Sequence, residues 1–591
     1  MSFRAPTDEC LFVMTHGGRF AEGREAGIYP DVDDALAASL LNEAGRFAET
    51  VLAPLNQAGD RQGVRFEQGE VRTPAGWRDA YAQWRDCGWN GLYASTAHGG
   101  MALPHVLYAA CLDLWNAANM PFMLAPILTF GAIDALSQHA SAELKNIWLG
   151  KLVTGKWAAT MALTEPQAGS DLSTVRTRAE KADDGSYRIT GQKIFISYGE
   201  HDLTDNIVHL VLARLPGAPD GTRGISLFLV PKYLPASGEH LGERNDVRCV
   251  GVEQKLGLHA SPTCTMAFGD AGDGATGWLI GEENRGLACM FTMMNAARLA
   301  VGLQGVGIGE RAFQHACAFA VGRRQGRAGG MPSPAPIIQH PDVRRMLLTM
   351  KALTQASRVI CYMTAGWIDR AHRLADPAAR AAAAARAGLL TPVAKAFATD
   401  AAIETASLGI QVHGGMGYVE ETGAAQYLRD ARITSIYEGT NGIQAIDLLT
   451  RKLPAANGEA MEAELADMRA IVADARAAQA GGFAGLAIAL DDAVSALERA
   501  ARALARMLEE TPASALAGAG PFLRLFALAR GGTGLARLAL SASEIGSPRA
   551  GHTELAVFFA ENMACQAAGL EHMIIRGGAS VVAGDAALGI V

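Results

Sequence analysis

The sequence predicts an α+β protein: a β-rich segment set between helical ones, followed by a further helical domain. Three observations carry this. Apolar residues recur at three-four spacing from about residue 31 to 156, and short β-rich runs separated by Gly, Pro and Asp follow to about 285. Helical spacing then returns. Beyond Pro454 the chain turns Ala-rich and holds no Lys.

Taken in order, residues 1–35 are a mixed extension with Gly and Pro. In the helical N-terminal domain, 36–158, LAASLLNEAGRFAETVL (Leu36 to Leu52), WRDAYAQWRDCG and ASAELKNIWLGKLVTG read as helices, the last two closing near Gly. Leu114 to Ile133 is uncharged, mostly apolar and long enough to mimic a membrane span. Asn116, Asn119, Pro121 and Pro126 predict instead a buried helix, a break and a second helix. In 159–285, YRITGQKIFISYGE, DNIVHLVLARL and GISLFLVPKYL are strands, continued by VGVEQKLGLHASPTCTMAFGD and TGWLIGEENRG. A helical domain spans 286–455, interrupted by the loop GGMPSPAPI. In 456–591, MEAELADMRAIVADARAAQA, LDDAVSALERAARALARMLEE and ELAVFFAENMACQAAGLEHMII predict amphipathic helices of a separate domain.

With 591 residues, 49% hydrophobic and 19% charged, the chain is globular and of several domains. A net charge of −8 opposes non-specific nucleic-acid binding. The nine Cys show no metal-ligand spacing, so no metal site is expected and reduced thiols are the simplest account. MSFRAPTDECLF lacks the apolar core of a signal peptide, so a cytoplasmic protein without a transmembrane segment is expected.

Several stretches carry chemistry. In ARITSIYEGTNGIQAIDLL, Glu438 is the only charge between Ile433 and Ile443. Apolar company raises a carboxylate's pKa and makes it a stronger base. Alone, it could also be a surface residue before a helix Gly442–Thr450 capped by Thr440 or Asn441. MALTEPQAGSD offers Thr164, Gly169 and Ser170 as small polar groups for a heterocycle. In GQKIFISYG, Phe195 alternates with Ile194 and Ile196, so on a strand its ring faces away from theirs and could lie on a planar cofactor. GRRQGR, ending a helix, suits a diphosphate. GIQVHGGMGY supplies Gly414, Gly415 and Gly417 after a helix, without the dinucleotide spacing.

In order and spacing, LTEPQAGSD, GQKIFIS, IQVHGGMGY, LRDARI and IYEGTNGIQ resemble the acyl-CoA dehydrogenase family, over about residues 36 to 453. The extension and tail resemble the larger bacterial members, including the 3-methylmercaptopropionyl-CoA dehydrogenase group. The resemblance implies a helical N-terminal domain, a β-barrel and a four-helix C-terminal domain, with FAD bound between them. It implies that Glu438 removes the α-proton while the β-hydrogen passes as hydride to flavin N5, giving a trans-2-enoyl-CoA. By the same matching, Met161, Leu163, Thr164, Gly169, Ser170, Phe195 and Ser197 line the flavin, with Phe195 and Ser197 where Trp and Thr are commoner. Arg323 reaches the FAD diphosphate of a neighbouring subunit, Gln411, Gly414 and Gly415 meet the adenosine end, and Thr440 and Gly442 the flavin side. Many members carry glutamine where this chain has Gly442, so a contact is expected to be lost there. Ser170, Asn295, Arg298, Tyr437 and Gly439 are implied at the acyl-CoA site. An electron-transferring flavoprotein as acceptor, a homodimer and a place in fatty-acid β-oxidation are implied as well. An oxidase relative would carry Asp at the base position, and a DNA-binding relative a basic tail; this tail's 10 Arg and 15 Asp plus Glu leave it at −5.

Overall fold

Period-two alternation and long apolar helices set two kinds of core. The computed structural model describes residues 3–236, 240–478, 482–544 and 551–590. Two compact units divide the chain: one is Phe47–Leu103 with Asn119–Ala297, the other Met1–Arg46 with Pro104–Ala118 and Arg298–Val591.

The first unit is built on strands β1 (Trp157–Ala162), β2 (Arg178–Lys181), β3 (Tyr187–Ser197), β4 (Asn206–Arg214), β5 (Ile225–Pro231), β6 (Val247–Val252), β7 (Thr263–Phe268) and β8 (Ala275–Ile280). Their order is β6-β7-β3-β8-β5-β4-β1, and β2 pairs with both β3 and β4. The second pairing, Arg178 opposite Arg214, closes the strands β3-β8-β5-β4-β2 into a ring. Strand β4 is buried from Asn206 to Ala213 because it feeds two cores. Val208, Leu210 and Leu212 pack with Leu136, Trp148 and Met290. Val211 and Ala213 pack with Ile189, Phe228 and Met266. A strand covered on both faces reads as a continuous apolar run.

Helix α1 (His105–His139) breaks at Asn119, whose φ is −159° and ψ 84°. Its Oδ1 accepts from Phe122 N at 3.1 Å and Pro121 follows in the first turn of the new helix, so the expected break is an N-cap with proline in a tolerated place. α1 and α2 (Gly286–Gly322) are long and apolar enough to cross a membrane by length and composition. Their most apolar windows are 89% and 61% buried inside the protein, as core helices are.

The second unit is helical. α3 (Pro341–Arg373) and α4 (Pro377–His413) pack along each other, followed by α5 (Asn441–Asp447), α6 (Glu459–Ala477), α7 (Phe483–Glu510) and α8 (Ala519–Glu544). The structure adds three details here. The extension is partly helical, at Thr7–Phe12 and Phe20–Glu25. The stretch 554–575 is two helices, Gly551–Asn562 and Ala567–Arg576, parted near Met563. The sequence reading also passes over α8, where Gly531, Gly532 and Gly534 resemble helix breakers.

Those glycines are where neighbours come close. A Cβ on Gly534 would stand 2.5 Å from Val359 Cγ1, and one on Gly532 2.5 Å from Leu490 Cδ2. Every residue from Leu525 to Ala536 is buried, so α8 is a core helix with no polar face. Within this unit α8 packs on α3, α4 and α5.

Candidate active site

The turn before α5 is bent twice in the left-handed sense. Glu438 has φ +59° and Gly439 +83°, the former a conformation that side chains other than Asn, Asp and Gly seldom take. The +83° φ at Gly439 favours glycine, and a Cβ there would stand 2.8 Å from Gln444 Nε2 and push that amide aside. Thr440, one of the two cap candidates in the sequence, then caps α5, its Oγ1 accepting from Ile443 N at 3.2 Å. Gln444 Nε2 donates to the carbonyls of Glu438 and Gly439, both at 3.2 Å.

This geometry leaves the Glu438 carboxylate in a dry place. The residue is half-buried, but its Oε2 is fully buried and has no hydrogen-bond partner among the described residues. Burial pushes its pKa up to about 7, and the nearby cations of Arg298 and Lys395 oppose a larger rise. No group among the described residues accepts from the Glu438 backbone N–H. Tyr437 beside it donates its phenol to Gln304 Oε1, and burial pushes that phenol up. Arg298 is buried, and its Nη1 donates to Asp447 at 3.1 Å. That guanidinium, expected at the acyl-CoA site, is thus engaged by a carboxylate of α5.

In the first unit, the stretch from Met161 to Ser170 leaves the end of β1 and meets β3. Ile194 N donates to Thr164 O at 2.9 Å, and Lys193 Nζ donates to Leu163 O at 2.9 Å and Glu165 Oε1 at 2.8 Å. Burial alone would raise Glu165, but Lys193, Thr177 and the Arg176 N–H hold its pKa at about 2. This ion pair welds LTEPQAGSD to GQKIFIS. The expected alternation around Phe195 is lost at a bulge: Met266 pairs with Lys193 and Cys264 with Ile196, so Thr265 alone faces two residues. Phe195 takes φ +59° there, and its side chain is 58% exposed while Lys193 and Ile196 are buried. Ser197 pairs with Thr263, and Gly169 and Ser170 are exposed.

Elsewhere in the second unit, Gln411 closes α4, and Gly414 (φ +60°) and Gly415 have no atom within 4 Å of where a Cβ would stand. Arg323, just past α2, is exposed and donates to Arg324 O and Gln325 Oε1, each at 2.7 Å. Gly442 is exposed in the first turn of α5, and Asn295 is exposed on α2. Taken unit by unit, these residues suit parts of an FAD. In the first unit Phe195 offers a bare ring. In the second, Gly414 and Gly415 leave open space, and Glu438 keeps an unsatisfied carboxylate oxygen. Among the described residues, no cluster of His, Cys, Asp or Glu could hold a metal ion.

Sequence reasoning missed Lys395, Gln304, Gln444 and Asp447. Lys395 carries the signal that singled out Glu438: it stands alone among Val393, Ala394, Ala396 and Phe397.

The chain matches known proteins along most of its length. Family profiles match residues 37–156 to the acyl-CoA dehydrogenase N-terminal domain, 160–271 to the middle domain and 284–453 to the C-terminal domain. Residues 464–585 match a domain described as acetyl-CoA dehydrogenase C-terminal like. A 3-methylmercaptopropionyl-CoA dehydrogenase of Ruegeria pomeroyi is 48% identical over 89% of each chain. A butyryl-CoA dehydrogenase of Syntrophomonas wolfei subsp. wolfei is 37% identical over 75% of this chain and 74% of its own. Among solved structures, Caenorhabditis elegans ACDH-11 in complex with C11-CoA shares the fold, with a TM-score of 0.75 at 20% identity over 93% of each chain.

Proposed function

The chain belongs to the acyl-CoA dehydrogenase family and is an FAD-dependent oxidoreductase of acyl-CoA thioesters; from that premise we propose that Glu438 is the base that takes the α-proton. The observation that carries the proposal is the buried, unpaired Glu438 oxygen on its left-handed turn. A carboxylate with a pKa of about 7 is partly ionised near neutrality and is a stronger base than one in water. An α-proton of a thioester is very weakly acidic, and its removal becomes feasible when the thioester oxygen receives hydrogen bonds that strengthen as enolate charge develops. The unpartnered N–H of Glu438 is one such donor. When bound, FAD supplies the acceptor for the β-hydride. The bulged Phe195 ring, Thr164 and Ser170 would hold its flavin, Gly414 and Gly415 would admit its adenosine end, and Arg323 would pair with the diphosphate in a neighbouring subunit.

The substrate we propose is 3-methylmercaptopropionyl-CoA, on the strength of the 48% identity to the Ruegeria enzyme. A homodimer with four-helix C-terminal domains, cytoplasmic and passing electrons to an electron-transferring flavoprotein, completes the reading. The test adds acyl-CoAs from short to long, including 3-methylmercaptopropionyl-CoA, to the yellow protein and follows flavin bleaching. Glu438→Gln is expected to bind FAD normally and to lose nearly all bleaching. A variant retaining a tenth of the wild-type rate refutes the assignment, and bleaching by long chains alone refutes the substrate.

A further inference from the structure

Lys395 lies in the middle of α4 and is fully buried. Burying an ammonium is costly unless every gain is local and specific, and an apolar side chain would fill the same space without that cost. Its Nζ donates to the Gly439 carbonyl at 3.0 Å and to Asn441 Oδ1 at 2.9 Å. Asn441 in turn donates through Nδ2 to Ala396 O at 3.2 Å, Thr399 Oγ1 at 3.0 Å and Asp400 Oδ1 at 2.7 Å. Helix α4 therefore grips the Glu438–Gly439 turn and the residue that follows it, and Lys395 is the α4 side chain that reaches the turn's own backbone.

We propose that Lys395 is a positioning residue for Glu438: its ammonium, set between the Gly439 carbonyl and Asn441, holds the left-handed turn that aims the carboxylate and the Glu438 N–H. This rests on the reading of Glu438 as the base. Without the ammonium, the Gly439 carbonyl keeps Gln444, so the turn survives but loses one of its two anchors. Displacing a reacting group by about 1 Å can cost roughly 100-fold in rate. Charge acts in the same direction. The cations that bear on Glu438 are Arg298 from α2 and Lys395 from α4, with Tyr437 adjacent in the chain; Lys395 itself faces Glu438, Asp400 and Arg298. Asp447 and Arg451 stand behind Arg298. Removing one of two cations raises the pH at which Glu438 ionises.

The experiment compares wild-type holoenzyme with Lys395→Met, Lys395→Gln and Glu438→Gln. Rapid mixing with butyryl-CoA and 3-methylmercaptopropionyl-CoA gives the rate of flavin bleaching across pH 5 to 9, and FAD content is read from absorbance. Lys395→Met is expected to keep FAD, to keep the half-saturating thioester concentration within about threefold, to lose roughly 100-fold in limiting rate, and to move the rise of rate with pH upward. Lys395→Gln, which retains one donor, is expected to lose less and to move that rise equally. Either variant with wild-type rate and pH profile overturns the proposal, as does loss of FAD by both, which would make the role one of folding. If Glu438→Gln remains active, the base assignment fails; if it is inactive while both lysine variants match wild type, only the positioning role fails.

Discussion

At Glu438, a displaced pKa becomes a dependence of stability on pH. The folded value of about 7 lies above the ordinary 4.5, so the folded protein keeps a proton that the unfolded chain has released. The stabilising contribution is complete below pH 4.5 and is lost as pH rises to about 7. A tenfold change in an ionisation constant is worth about 1.4 kcal/mol, so burying the ionised form costs up to about 3 kcal/mol above that range. Glu438→Gln carries no such charge. Its melting temperature relative to wild type is therefore expected to be higher at pH 8 than at pH 5. A difference that stays constant between the two pH values would contradict the buried carboxylate.

Among the elements, α8 depends on one charge inside its apolar length. Arg530 is fully buried, donates to Asp467 of α6 at 2.7 Å and lies 3.2 Å from Glu464 of the same helix. Burial would raise Asp467, yet Arg530 and Arg19 hold it well below the usual carboxylate range. Glu464 also pairs with Arg386 of α4, so one cluster ties the tail, α4 and the N-terminal extension together. Removing Arg530 leaves two carboxylates sharing fewer cations, part-buried Asp467 with Arg19 and buried Glu464 with Arg386. Arg530→Met is expected to destabilise the protein by about 3–5 kcal/mol, read as a melting temperature lower by several degrees, with flavin bleaching intact at low temperature. An unchanged melting temperature would show the cluster to be energetically neutral.

Across the whole molecule, the tail closes a core that the dehydrogenase helices leave open. Ala356 and Val359 of α3 meet the glycine stretch of α8, and deleting 456–591 would bare that face together with parts of α4 and α5. The truncated chain is expected to aggregate on expression; a soluble, monodisperse 1–455 fragment that binds FAD would show the tail to be a separate module. Local patterning specifies much of this protein. It places the three-four spacing of the helical segments, the β segment between them, a break between Asn116 and Pro126, a cap at Thr440 or Asn441 and a lone carboxylate at Glu438, because each is a property of residues near in sequence. Other features depend on neighbours far along the chain. α8 is illegible in the sequence because its glycines read as breakers until Val359 and Leu490 are seen against them. The bulge that bares Phe195 comes from registry with Thr265 across the sheet. The pairs Lys193–Glu165 and Arg298–Asp447, and the grip of Lys395 on the Gly439 carbonyl, join residues 28, 149 and 44 positions apart. A charge's partner is chosen by the fold that brings it within reach, and no local pattern records that choice.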